Sequence, residues 1–230
     1  MDYEGLLELV KKRRSIRRFK PESIPDEYVD KIIEAARWAP SGANSQPWEF
    51  IVVKKQELKD SIVQLIKEQG TFQRKVELTR EPELRMPGVV SPSERPSYAD
   101  APVFIILCGD TRTKDAYPMS ADTQRKEAIF ESSLASAFLY MHLAATALGL
   151  APQWVSAVSN HSMQCLVKDM LAIPKEMQIY DMMAVGYPAA EPRTRLVRDR
   201  EEMVHHDYYD KAKFRTAEKV RDFIASLRRG

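Results

Sequence analysis

The sequence predicts an α+β fold, and three observations carry that prediction. Strand-like runs alternate with helical stretches along the chain. One segment, Ile129 to Leu148, is apolar almost all round and reads as a buried core helix. The tail from Arg198 to Arg229 reads as a polar helical extension with little apolar mass of its own. With 230 residues, 44% hydrophobic and 30% charged, the chain can bury a real core without staples, which excludes a disordered or coiled-coil protein. The expectation is a single domain spanning residues 1–230.

The elements follow in order. Tyr3 to Val10 sets Leu6, Leu7 and Val10 at helical spacing and runs into the basic stretch from Lys11 to Lys20. Ser23, Pro25, Asp26 and Glu27 start a second helix whose apolar stripe is Tyr28, Ile32, Ile33 and Ala36; Pro40 and Gly42 end it. Trp48 to Val53 is an aromatic and β-branched run, hence a strand, followed by a helix from about Leu58 to Gln69. Gly70 to Asp100 carries Pro82, Pro87, Pro92 and Pro96 and little periodicity, the pattern of an irregular excursion of the kind that forms lids.

Pro102 to Cys108, ended by Gly109-Asp110, reads as a strand buried on both faces. Beyond the core helix and its stop at Gly149, Gln153 to Val158 reads as a strand, Ser162 to Leu171 as a short helix and Ile179 to Val185 as a further strand closed by Gly186-Tyr187-Pro188. In the tail Val220, Ile224 and Leu227 share one helical face and need a surface to dock on, the core or a second subunit.

Charge and cysteine content narrow the function. The 35 basic and 33 acidic residues leave a net charge of +2, without the field of a dedicated nucleic-acid binder, so any anion site must be local. Cys108 and Cys165 build no disulfide framework and lie in no metal-type spacing; they read as buried thiols of a reducing cytoplasm. Met1-Asp2-Tyr3-Glu4 opens no signal peptide, and no apolar run reaches the ~20 residues that span a bilayer. The expected location is therefore cytoplasmic, with no membrane partner. Only 8 glycines are present, and no strand-to-helix turn carries a phosphate-cradling glycine loop.

Two segments concentrate chemistry. In Arg13-Arg14-Ser15-Ile16-Arg17, guanidinium forks and a hydroxyl suit a phosphate on a small ligand, though a solvated charge run or a nucleic-acid arm has the same composition. In Ala39-Pro40-Ser41-Gly42-Ala43-Asn44-Ser45-Gln46-Pro47-Trp48, small hydroxyl and amide groups on a restricted backbone suit the edge of a planar heterocycle, or an ordinary capped loop. No Ser/His/Asp or Cys/His constellation is visible. His142, His161, His205 and His206 read as solvated or hydrogen-bonded structural residues.

Together, in this order and separation, the two segments resemble the flavin-dependent nitroreductase family. The resemblance continues through Ala101-Pro102, Gly149-Leu150 leading into Trp154-Val155-Ser156, and Val185-Gly186-Tyr187-Pro188. It implies a central mixed β-sheet flanked by helices, with the C-terminal extension docking on a partner subunit. It also implies FMN held at the interface of a homodimer. Arg13, Arg14, Ser15 and Arg17 match the element that binds the phosphate and the pyrimidine edge. Pro40, Ser41, Gly42 and Asn44 match the loop that reaches the flavin from the other subunit. Ser156, with Ala157 beside it, matches the position facing flavin N5. Arg198 matches a late basic residue on the phosphate, with Arg195 in place of a companion lysine that falls at Leu196.

The activity so implied is reduction of a small electron-poor acceptor, a nitroaromatic, quinone or similar molecule, at the expense of NADH or NADPH, with chemistry carried by the flavin rather than by a protein nucleophile. Pro40-Ser41-Gly42-Ala43 and the Ser156 hydroxyl look like the iodotyrosine deiodinase branch, whose lid corresponds to residues 70–100 and in which Arg95 would meet a substrate carboxylate. That makes reductive dehalogenation the alternative. A different class is a non-enzymatic nucleic-acid binder using the basic segment 11–20.

Overall fold

The protein is described by a computed structural model over residues 2–191 and 195–227. Its helices and strands follow one another as α1 (Tyr3–Lys12), α2 (Asp26–Arg37), β1 (Trp48–Val53), α3 (Gln56–Glu77), α4 (Pro87–Val90), β2 (Val103–Asp110), α5 (Thr123–Ala147), β3 (Ala151–Val155), α6 (His161–Met170), β4 (Met177–Gly186) and α7 (Ala217–Ser226). They form two compact units, the first made of Met1–Lys67 and Arg95–Pro192, the second of Glu68–Glu94 and Arg193–Gly230.

The first unit holds the sheet, in the order β1-β2-β4-β3. The sheet expected as mixed is antiparallel at all three pairings among the described residues. Alternation of strand and helix does not fix strand direction: the connection after β3 runs out along α6 and returns before β4, so neighbours oppose one another. β2 is buried along almost its whole length, as its unbroken apolar run requires. Alternate residues then face two cores. Phe104, Ile106, Met182 and Ala184 pack with Ile62 and Val63 of α3 and Met163 and Val167 of α6. Ile105, Leu107, Met183 and Val185 pack with Val29, Ile32 and Ala36 of α2 and with α5.

Asp122 caps α5, accepting from the Arg125 amide at 2.7 Å. By length and composition α5 could cross a membrane. Here it packs on α2 and the sheet, burying Phe130, Leu134, Ala137, Phe138, Met141 and Ala145. It is not buried all round as expected, since Leu139 and Tyr140 are exposed. α1, capped by Asp2, buries no side chain at all, and Leu6 and Val10 stand exposed.

Two other expectations change. α3 does not stop at Gln69 but runs to Glu77, so the irregular excursion begins later. Gly70 weakens a helix interior by only about 1 kcal/mol, and the last turns are polar and carry no periodic signal. In the second unit the described part of the tail is α-helical only in α7. Before it come short 3₁₀ turns at Arg200–Glu202 and Lys211–Lys213, the second capped by Asp210, and Thr216 caps α7 itself. Within this unit Arg221 of α7 pairs with Glu81 and with Glu83, the latter at 2.5 Å. Of the two thiols, Cys108 is buried, which pushes its pKa up to about 12, whereas Cys165, expected inside, is exposed.

Candidate functional site

The loop after α2 is held in an unusual backbone. Ala43, Asn44 and Gln46 all have φ near +50° (50°, 52° and 44°), a left-handed region that costs a non-glycine residue roughly 1–2 kcal/mol. Several bonds hold it there. Ser41 Oγ accepts from the Gln46 amide at 3.0 Å, the Gly42 amide donates to Ser133 Oγ of α5 at 3.1 Å, and the Ser45 hydroxyl and Tyr117 phenol share a bond at 3.3 Å. Strain so fully compensated is characteristic of ligand-binding segments. Pro40 and Asn44 remain exposed; Ser41 and Gly42 are half-buried.

The basic segment is extended. The Arg13 amide closes α1 on the Leu9 carbonyl, and residues 18–20 pair with the strand beyond β4: Ala189 donates to the Arg18 carbonyl and Lys20 to the Tyr187 carbonyl, both at 2.9 Å. Phe19 is buried between these bonds. The stretch is therefore not a free arm. Arg13, Arg14 and Ser15 are half-buried and Arg17 exposed, and Arg14 lines a cleft of about 230 Å³ with Thr146, Gly149, Leu150, Pro152 and Pro188.

These two segments lie at different ends of α5. The Gly42 loop rests on Ser133 and the Arg14 cleft on Thr146, thirteen residues further along the helix, which is about 20 Å at ~1.5 Å per residue. One chain does not bring them together.

Between the ends lies a cluster that the motifs did not announce. Asp181 of β4 is 6% exposed; its Oδ2 accepts from the Trp154 indole, and its Oδ1 is buried with no hydrogen-bond partner among the described residues. Burial raises its pKa, while Trp154, Ser159 and Ser156 pull it back down. On the other side of Trp154, 5.4 Å between ring centroids, is His142 of α5. It was expected to be solvated or hydrogen-bonded and is neither: it is 1% exposed and both nitrogens lack partners among the described residues. Burial, with the Arg13 charge adding, pushes its pKa down to about 3, so its ring is neutral. The one signal available in the sequence was a lone carboxylate within Ile179-Tyr180-Asp181-Met182-Met183.

Ser156 follows β3 directly and is exposed; Ala157 is half-buried. Arg95 donates to Asp100 at 2.7 Å beside the buried Lys59, whose Nζ bonds the Ala101 and Pro102 carbonyls. Ser97, two residues on, bonds Gln153, which points to the sheet face opposite Trp154. Arg195 and Arg198 belong to the second unit. Arg195 is exposed, and Arg198 lies 3.6 Å from Glu202 in a cleft with Tyr209 and Phe214.

Residues 10–187 match the sequence profile of the Nitroreductase family. The chain belongs to that family. A nitroreductase-family relative from Methanothermobacter thermautotrophicus, provisionally named NADH dehydrogenase/NAD(P)H nitroreductase, is 30% identical over 190 residues, covering 83% of this chain and 81% of that protein. Iodotyrosine deiodinase 1 of Rattus norvegicus is 45% identical over 69 residues, 30% of this chain and 24% of that protein. The crystal structure of an oxidised iodotyrosine deiodinase bound to FMN and 3-iodo-L-tyrosine superposes with a TM-score of 0.68 at 23% identity, covering 89% of this chain and 100% of that one, a likeness of fold.

Proposed function

We propose that this nitroreductase-family chain is an FMN-dependent oxidoreductase that reduces a small electron-poor aromatic acceptor at the expense of NADH or NADPH, and that it works as a homodimer with two shared sites. The observation that carries this reading is the separation along α5. The Arg14 cleft and the Gly42 loop rest on points of α5 about 20 Å apart, so a flavin whose phosphate is held by Arg13, Arg14 and Arg17 would take Ser41 and Asn44 from a second copy. Two copies packed antiparallel along α5 would put residues 13–17 of one beside residues 40–44 of the other.

Other features support the arrangement. A cleft of about 230 Å³ is smaller than the roughly 300–1,000 Å³ that encloses a whole ligand, so it suits part of one, with the rest covered by a partner. α1, which buries nothing, and the exposed Leu139 and Tyr140 offer apolar area of the kind obligate interfaces bury.

The residues present fit the cofactor chemically. Arg13, Arg14 and Arg17 with the Ser15 hydroxyl would hold the phosphate and pyrimidine edge through charge-assisted bonds. Ser41 and Asn44, aimed by Pro40 and Gly42, would reach the ring from the partner, and Ser156 with Ala157 would stand at N5. Bound FMN supplies the electron or hydride transfer itself. Trp154, packed on Phe138 at 4.5 Å, gives the site an apolar wall that limits water.

The test is a spectrum and a mass. Purified protein should be yellow, contain one FMN per chain, lose that absorbance on addition of NADH or NADPH, and scatter light as a dimer. A colourless protein that also fails to bind added FMN would overturn the reading. The 45% identity to a deiodinase over 69 residues and the Ser156 hydroxyl favour reductive dehalogenation as a second reading. It predicts halide release from a halotyrosine under reducing conditions, faster than nitroarene reduction.

A further inference from the structure

We propose that Asp181 is a positioning residue that sets the direction of the hydrogen bond between Ser156 and flavin N5: its carboxylate accepts a hydrogen bond from the Ser156 hydroxyl, so that Ser156 offers N5 a lone pair. This rests on the reading above that Ser156 stands at N5.

A lone carboxylate in an otherwise apolar central strand needs a reason. Asp181 sits in place firmly, with Oδ2 fixed by the Trp154 indole, yet Oδ1 is buried and unfilled among the described residues. β3 pairs with β4 so that Val155 opposes Met182 and Trp154 opposes Met183; the next step in that register sets Ser156 against Asp181. The hydroxyls of Ser156 and Ser159 both pull the pKa of the carboxylate down, as donors beside it would. The Ser159 hydroxyl donates to the Ser156 carbonyl at 2.7 Å, which leaves the Ser156 hydroxyl as the donor for Oδ1.

A hydroxyl has one proton. Once it points at Asp181, the oxygen can only accept from its other side. Flavin N5 accepts a hydrogen bond when oxidised and donates one when reduced, so this polarity favours the reduced cofactor. Asp181→Asn reverses it: the amide oxygen still accepts from Trp154, the amide nitrogen donates to Ser156 Oγ, and the Ser156 proton turns toward N5.

The experiment measures the affinities of the holoprotein for oxidised and reduced FMN, and hence its two-electron potential, in wild type, Ser156→Ala and Asp181→Asn. Ser156 is exposed, so Ser156→Ala tests the sign without disturbing the core. The expected result is a loss of preference for reduced FMN of about tenfold, roughly 30 mV more negative for a two-electron couple. Asp181→Asn should move the potential the same way, with the Trp154 indole N–H resonance retained in the apoprotein, and should add little in the Ser156→Ala background. A more positive potential in Ser156→Ala would overturn the proposal while leaving Ser156 at N5. An unchanged potential in Ser156→Ala would overturn it together with the placement of Ser156. A full Asp181→Asn shift persisting without the Ser156 hydroxyl would also overturn it.

Discussion

Gly42 lies so close to Ile129 of α5 that a Cβ built on it would come within 2.1 Å of Ile129 Cγ2. The glycine is there for contact: its amide reaches Ser133 only because nothing projects between loop and helix. Gly42→Ala should push the loop off α5 at a cost of about 1–3 kcal/mol, the usual penalty for overpacking. Thermal denaturation and FMN content should fall together, and Ile129→Ala should restore much of both in the double variant. Unchanged FMN retention by Gly42→Ala alone would remove the loop from the site.

Arg13 and Arg17 should differ in what they contribute. Arg13 is half-buried near His142, whereas Arg17 is exposed. A charge-assisted hydrogen bond is worth roughly 1.5–3 kcal/mol, and water weakens the exposed member. Arg13→Ala should therefore weaken FMN binding by more than tenfold and Arg17→Ala by less, with the Arg17 effect shrinking as salt rises. Fluorescence titration of the apoprotein with FMN checks both.

If α1 lies in a dimer interface, a charge there should cost the dimer and the cofactor at once. Leu6→Asp and Val10→Asp replace exposed side chains, so a folded monomer should survive in each. Light scattering should report dissociation, and the dissociated protein should be colourless. A monomer that keeps FMN would separate the two claims and refute the shared site.

His142 gives an acid dependence whose sign follows from its burial. Its folded pKa of about 3 lies below the free value of 6.5. Above pH 6.5 neither state carries the proton, and no slope arises. Between pH 6.5 and about 3 the unfolded chain takes up a proton that the folded chain refuses, so stability falls as pH drops, by up to about 1.4 kcal/mol per pH unit. His142→Phe keeps an aromatic ring beside Phe138 and Trp154 and removes both unpartnered nitrogens. Denaturant unfolding should show a gain of roughly 1–3 kcal/mol at neutral pH and a shallower acid slope.

What the sequence made legible is what local chemistry dictates. β1 begins after Pro47 as its composition predicts, and α2 announces itself by its period, although Val29 rather than Tyr28 and Ile33 is buried with Ile32 and Ala36, and β2 runs on through Gly109 and Asp110. The two motif segments were equally visible, because guanidinium forks and a Pro-Ser-Gly turn are rare compositions. The end of α3 was not, since exposed polar turns have no period to read. The sequence leaves Arg95 open to a substrate carboxylate, whereas in the fold Asp100, five residues on, pairs with it. Asp181 and His142 were invisible as a pair because β4 and α5 are joined only through the packing of Trp154, a relation of three-dimensional neighbours and not of spacing.

The second unit is assembled from two stretches of chain, Glu68–Glu94 and the residues from Arg193 onward, with β2, β3 and β4 encoded between them and β1 before both. On the ribosome this fixes an order. The four strands of the sheet have been made by Gly186, before Arg221 exists, so Glu81 and Glu83 wait for their partner until the sheet has been synthesised. The sheet can therefore mature before the excursion is pinned, and α7 then acts as the clasp of the excursion.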